Sequence, residues 1–319
     1  MSDSESKHRE EAASGAPERI GFLGLGIMGS RMAANVARAG LELTVWTHTP
    51  GKAARWASEH KATAADSPAQ VAAASDVVIS MVVDGGQVAE VLLGEDGVVQ
   101  AAHPGLLCVD MSTIAPADTR RIGAALAEHG IGLLDAPVTG SSPRAEDGTL
   151  TIMAGGEERD FRRVLALLQT MGKLIVHVGA LGQGEMLKLI NNSLAAANAT
   201  AVAEALVVAT ATGVDLDALV QVAGAGSGGS AMLQVKSAAM RSHDFQTLFK
   251  TEHMLKDVRL CLEECQAAGV PFPAASYARD VLNATVGRGF GEADFAALIE
   301  AVEGLAGIRL GDPTHGADG

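Results

Sequence analysis

A chain of 319 residues and 32.5 kDa is too long for one ordinary hydrophobic core and points to two domains. With 48% hydrophobic and 19% charged residues, wholesale disorder is excluded; at 3% aromatic, the cores must be built from Ala, Val, Leu, Ile and Met. Lys and Arg number 24 against 38 Asp and Glu, and the resulting charge of −14 disfavours nucleic-acid backbones and anionic membranes while permitting a local cationic pocket. Three cysteines cannot make a disulfide framework. Cys261 and Cys265 fall one helical turn apart with no histidine at a zinc-ligand spacing. They read as small thiols on a helix, suited to a reducing cytoplasm. No apolar run reaches the length of a membrane span, and residues 1–18 lack the apolar stretch of a signal peptide. That stretch reads as a solvated tail, as do residues 311–319.

In chain order, residues 20–25, 41–46, 77–83, 106–111, 132–135, 149–154 and 174–178 are strand-length apolar runs bounded by Gly, Pro, Asp or Ser. Between them, 32–39, 53–59, 68–74, 88–93 and 116–129 can carry helices. That alternation predicts βαβ units and a doubly wound, mostly parallel sheet over residues 19–181. From about 184 to 212 the chain has no proline and no internal glycine, which predicts one helix of roughly 45 Å. Helical runs at 215–223, 248–268, 274–285 and 293–305 follow without a convincing strand. Residues 182–310 are therefore expected to be an all-α domain, joined to the first by the long helix.

The chemistry starts at Gly24-Leu25-Gly26-Ile27-Met28-Gly29, placed directly after an apolar strand and opening a helix. In a chain with 37 glycines a bare GxGxxG is weak evidence, and a structural glycine-rich turn is the alternative. The flanking strand, helix and next strand match the Rossmann-type dinucleotide-binding context. Gly24 would allow the tight turn, Gly26 the approach of a pyrophosphate, and Gly29 the contact of helix with strand. The free N–H groups of the helix start would hold the phosphate charge.

The end of the second strand should separate NAD from NADP, because an Asp or Glu there would bind the ribose 2′-hydroxyl. This chain instead reads Val45-Trp46-Thr47-His48-Thr49-Pro50, followed by Lys52 and Arg55. The missing carboxylate and the nearby basic groups favour NADP(H), with NAD(H) and ordinary solvated charge as alternatives.

The segment Ile20–Gly29 resembles the N-terminal signature of the β-hydroxyacid dehydrogenases, which include 3-hydroxyisobutyrate dehydrogenase, tartronate semialdehyde reductase and the glyoxylate/succinic semialdehyde reductases. Further segments match the family in order. Asp110-Met-Ser-Thr-Ile-Ala-Pro116 is similar to the loop beside the nicotinamide, Asp135-Ala-Pro-Val-Thr-Gly140 to the substrate-binding segment, and Gly148–Gly156 to the strand after it. Gly182-Gln-Gly184, Lys188-Leu-Ile-Asn-Asn192 and Lys256-Asp257 complete the set. The resemblance implies a catalytic Lys188 with Asn192 as its helix partner. For the cofactor it implies contacts from Gly24, Gly26, Ile27, Met28, Gly29, Thr47, His48, Thr49, Lys52, Val82, Val83, Thr113 and Lys256. For the substrate it implies contacts from Ser112, Thr139, Gly140, Ser141 and Asn192. Many members carry Ser-Gly-Gly where this chain has Thr139-Gly140-Ser141, and Ser142–Gly148 looks more like the glyoxylate/succinic semialdehyde branch.

A physical argument stands beside the resemblance. Lys188 and Asn192 are i and i+4 on one helix face, and Met186, Leu187, Leu189 and Ile190 around the lysine suggest a largely buried segment. An ammonium aimed at a carbonyl oxygen can deliver a proton as hydride reaches the carbon, and a neutral amine can take it back. A solvated lysine is the plain alternative for Lys188, as a helix salt bridge is for Lys256. Nine scattered histidines without HxH, HxxxH or HExxH spacing predict no metal site.

The leading expectation is a cytoplasmic oxidoreductase moving a hydride between NADP(H) and a β-hydroxyacid or its semialdehyde, working as a homodimer or homotetramer. An imine reductase on the same scaffold and a catalytically idle NADPH-binding scaffold or regulator are the alternatives.

Overall fold

The computed structural model describes residues 18–312, so most of both expected tails lies outside the described residues. Glu18, expected in the first tail, is ordered by an ion pair with Arg163 at 2.6 Å. Among the described residues, the chain divides into two compact units, one of residues 18–112 and 117–184, the other of residues 113–116 and 185–312.

Among the described residues, the first unit has nine strands: β1 (Ile20–Leu23), β2 (Leu43–Trp46), β3 (Thr63–Ala64), β4 (Val77–Ser80), β5 (Leu107–Asp110), β6 (Gly132–Asp135), β7 (Val138–Thr139), β8 (Leu150–Gly155) and β9 (Gly172–Gly179). Their order is β3-β2-β1-β4-β5-β6-β8-β7, with β9 beside β8. The strands from β3 through β6 are all parallel, whereas β8 runs antiparallel to β6 and β7. Parallel strands covered by helices on both faces are apolar throughout, which is why β1, β4 and β5 are buried at every residue. Each Val, Leu or Ile so buried stabilises the unit by about 1.5–3 kcal/mol.

The crossover helices are α1 (Ile27–Arg38), α2 (Lys52–His60), α3 (Pro68–Ala73), α4 (Gly85–Leu93) and α5 (Pro116–Ala127). Two more follow, α6 (Ser141–Asp147) and α7 (Glu158–Leu168). Ser67 caps α3 ahead of Pro68 at its first turn, and Asp84 caps α4 through the Gln87 N–H. Neither α6 nor α7 is among the helices expected from the sequence, and the two-residue β3 and β7 are likewise absent from the expected strands.

The second unit is helical: α8 (Gln183–Thr212), which starts within the first unit, then α9 (Leu216–Ala225), α10 (Ala231–Ser242), α11 (Thr251–Ala267), α12 (Pro273–Thr285) and α13 (Ile299–Ala306). α10 is an addition to the expected set, capped by Ser230, so the Gly226–Ser230 stretch is the connector between two helices. The expected last helix, 293–305, is divided into a 3-10 turn, Phe295–Leu298, and α13. Contrary to the expectation that no run reaches span length, α8 is long and apolar enough by length and composition alone to cross a membrane. Here it is a core helix of the unit: Ala196, Ala199, Ala203 and Leu206 recur on one face and are fully buried. Residues 113–116, expected with the sheet, group with the helices instead, where the Lys256 ammonium donates to the Thr113 carbonyl.

Candidate active site

In an open parallel sheet, ligands bind beyond the carboxyl ends of the strands where the strand order reverses, here beside β1 and β4. The glycine triplet sits there, between β1 and α1. Gly24 has φ +101°, and a Cβ on it would stand 2.2 Å from the Met81 carbonyl oxygen that follows β4. A Cβ on Gly29 would stand 2.0 Å from the Gly24 carbonyl oxygen. Both glycines are therefore demanded by the protein's own backbone. Gly26 is not: a Cβ there would meet nothing within 4 Å. Gly26 is also the N-cap of α1 and offers no side-chain cap to the first-turn N–H groups. Open space over an uncapped helix start fits a pyrophosphate. Ile27 and Val83, large apolar side chains, are 64% and 52% exposed. Met28 and Val82 are half-buried beside them.

After β2, Thr47 is buried while His48, Thr49, Lys52 and Arg55 are exposed. The Thr49 hydroxyl lies 3.5 Å from His48 Nε2. At the end of β5, the Asp110 carboxylate is buried, and its Oδ1 accepts from the Ser80 and Ser112 hydroxyls, both at 2.7 Å, and from the Ser112 N–H. Burial raises this carboxyl to about 6 against those hydrogen bonds. The Ser112 hydroxyl also accepts from the Val82 N–H at 3.0 Å. Ser112 is fully buried, and its Oγ ties the ends of β4 and β5 together.

Thr139, Gly140 and Ser141 are half-buried in the loop that opens α6. Gly140 has φ +137°, and Ser141 has φ +57°, a left-handed conformation that is strained for a residue with a side chain. The Gly182 N–H donates to Asp135 Oδ1 at the end of β6.

In the helical unit, Lys188 lies on α8 and is only 6% exposed. Its Nζ is 5.9 Å from the centre of the Phe249 ring. Burial lowers its pKa from the ordinary 10.5; Asp257 and Glu185 oppose the shift, and Lys256 adds to it. One turn on, Asn192 donates to Asp257 Oδ2 at 2.7 Å and takes a hydrogen bond from Asn191. Asp257 Oδ1 lies 3.4 Å from the Lys256 ammonium. Lys188, Asn192, Asp257 and Lys256 are thus one polar group inside an apolar unit, and the Thr113 carbonyl joins it through Lys256. Phe249 is held from behind. Asp294, in a buried 2.6 Å pair with Lys236, also accepts the N–H groups of Leu248 and Phe249.

Two members of this group were missing from the residues expected at the site. Asp257 stood in the Lys256-Asp257 pair, and the need of Asn192 for a partner was a signal for it. Phe249 carried no signal beyond being one of seven phenylalanines. A second cluster escaped sequence spacing altogether. His243, Glu300 and Glu303 bring one ligand atom each within 4.8 Å of one another. Arg309 reaches both carboxylates, at 3.1 and 3.4 Å, and the Leu310 N–H donates to Glu303, so this cluster anchors the end of the helical unit.

Residues 19–179 match the family described as the NAD binding domain of 6-phosphogluconate dehydrogenase. Residues 182–302 match the one described as NAD-binding of NADP-dependent 3-hydroxyisobutyrate dehydrogenase. The 2-hydroxy-3-oxopropionate reductase of Escherichia coli is 38% identical over 92% of this chain and 99% of its own. The 3-hydroxyisobutyrate dehydrogenase of Mycobacterium tuberculosis, solved with L-serine, superposes with a TM-score of 0.83 at 33% identity, covering 90% of this chain and 99% of that one. An imine reductase from a Pseudomonas species shares the fold, with a TM-score of 0.57 at 20% identity over 90% of this chain and all of that one.

Proposed function

Since the chain belongs to the β-hydroxyacid dehydrogenase family, we propose that Lys188 exchanges the proton while a hydride moves between NADP(H) and a small hydroxyacid or its semialdehyde. The coarser activity, NAD(P)-dependent hydride transfer at the CH–OH group of small hydroxyacids, comes with the family.

When bound, the reduced nicotinamide supplies the hydride, and the glycine turn with its uncapped helix would hold the pyrophosphate. His48, Thr49, Lys52 and Arg55 offer hydroxyl, imidazole and cationic groups to a 2′-phosphate, with no carboxylate beside them to repel it. Thr139, Gly140 and Ser141 would take the substrate carboxylate. Lys188 would hold its proton against the carbonyl oxygen and give it up as negative charge develops there; in the oxidative direction the neutral amine would receive it from the hydroxyl. Asn192, fixed by Asp257, would orient the same oxygen.

The observation that carries this reading is the buried Lys188 with its lowered pKa. An amine made easier to deprotonate by desolvation is suited to proton exchange, whereas a solvated helix lysine is not. The names of the relatives make small 3-oxo and 3-hydroxy acids the first candidates. The test is a panel of glyoxylate and of succinic, methylmalonate and tartronate semialdehydes with NADPH and with NADH, and of 3-hydroxyisobutyrate and serine in reverse. Turnover of at least one acid with NADPH preferred is expected. A tenfold preference for NADH would overturn the cofactor assignment, and cyclic imines reduced in place of every semialdehyde would overturn the substrate class.

A further inference from the structure

Asn35 stands in the middle of α1, nine residues past Gly26, and is 4% exposed. A buried asparagine is a poor choice for a helix interior unless its amide is satisfied. Its Nδ2 donates to the carbonyl oxygen of Ala145 at 2.7 Å, and its Oδ1 accepts from Arg38. Ala145 lies in the last turn of α6, where carbonyls have no partner within the helix. The Arg144 carbonyl is taken by the N–H groups of Gly148 and Thr149, and the Ala145 carbonyl is taken by Asn35. Gly148, with φ +67°, ends α6 beside the Asn35 amide, whose carbon a Cβ there would touch at 3.5 Å. One turn earlier on α1, Arg31 pairs with Glu146 at 3.0 Å.

α6 is thus held at its far end by the helix whose start forms the phosphate cradle. At its near end lies the Gly140-Ser141 turn, with Ser141 left-handed. Such strain persists only where the surroundings over-determine it. A seven-residue helix cannot do so by itself, being far below the length at which helices are stable in isolation.

We propose that Asn35 is a positioning residue for the substrate loop: through the Ala145 carbonyl it locks α6 onto α1 and so holds Thr139–Ser141 in the shape that receives the substrate acid. This rests on the assignment of Thr139–Ser141 to the substrate. It links the cofactor helix to substrate affinity by a side chain that touches neither ligand.

The test is Asn35→Asp, which keeps the volume and the Arg38 partner but presents an acceptor to the Ala145 carbonyl. Losing that hydrogen bond should raise KM for the acid about five- to tenfold, with kcat and the Kd for NADPH each within about twofold of wild type. Glu146→Ala removes the exposed pair with Arg31 and should shift KM the same way by less. Amide hydrogen exchange over residues 139–148 should quicken in Asn35→Asp, while exchange over 24–30 stays put. An unchanged KM with unchanged exchange at 139–148 would overturn the proposal, as would a joint rise in KM and in the NADPH Kd, which would mean that α1 itself is damaged. If the wild-type protein reduces no acid in the panel, the functional reading fails, and the exchange data alone still decide whether Asn35 holds the loop.

Discussion

At the scale of single residues, burial does the chemical work. Lys188 is kept from water by Phe249 and the apolar face of α8, and the cost of a desolvated charge lowers its pKa from 10.5. With Lys188 as the proposed proton donor, reduction would need the protonated lysine, so kcat/KM for the semialdehyde should fall as pH rises through the lowered pKa. Oxidation would need the neutral amine and should rise through the same value. Two opposed profiles sharing one inflection below 10.5 are the expected outcome. Profiles that are flat, or that inflect at unrelated pH values, would take the proton away from Lys188. Lys188→Ala should lower kcat by on the order of 10²–10⁴ while leaving NADPH affinity near wild type. Lys188→Arg should not restore it, because a guanidinium keeps its charge and scarcely releases a proton. Asn192→Ala should cost less, since it removes an orienting hydrogen bond and leaves the proton source. Near-normal turnover by folded Lys188→Ala, measured on the best acid of the panel, would leave only the cofactor half of the reading standing.

At the scale of elements, the strand, turn and helix formed by β1 and α1 separate what a glycine does for the fold from what it does for a ligand. Gly29→Ala drives a methyl into the Gly24 carbonyl and should unfold or strongly destabilise the first unit. Gly26→Ala enters empty space with φ −70°, which any residue adopts. It should keep its Tm within a few degrees of wild type and still weaken NADPH binding by about tenfold or more, because the methyl occupies the approach of the phosphate. Titration calorimetry beside a thermal melt checks both, and unaltered NADPH binding by Gly26→Ala would remove the cradle from α1. This contrast also shows which parts of the molecule were legible in the sequence. The alternation of buried strands with helices needs only local periodicity, so the parallel sheet and the long α8 could be read directly. α6 could not. It starts from a left-handed Ser141, contains Pro143, and is stabilised by Asn35, 110 residues away. The same reason hid Asp257 and Phe249: each acquires its role from a partner on α8 that is close only after folding. The Ser112 hydroxyl likewise bonds Asp110 and the Val82 N–H, the second 30 residues away and close only after folding.

At the scale of the whole molecule, the two units differ in how completely each covers its own apolar surface. The sheet unit buries large aliphatic side chains on every central strand. The helical unit leaves part of its apolar surface in water. None of the ten residues of α9 is fully buried, and Val222 on it is 71% exposed. On α8, Leu194 and Val208 are half exposed or more, on the side away from its alanine-lined core face. Helices this apolar are ordinarily covered on both sides, and a second copy of the chain offers matching surfaces through a two-fold axis. The expected assembly is therefore a homodimer or homotetramer joined through the helical units. Val222→Glu should test it without disturbing the fold, because the side chain already faces solvent in the single chain. Light scattering at micromolar protein should give a multiple of the monomer mass for wild type and a smaller species for Val222→Glu, with the far-UV dichroism of the two superimposable. A wild-type protein that scatters as a strict monomer would overturn the assembly, and a Val222→Glu variant of unchanged mass would move the interface off α9.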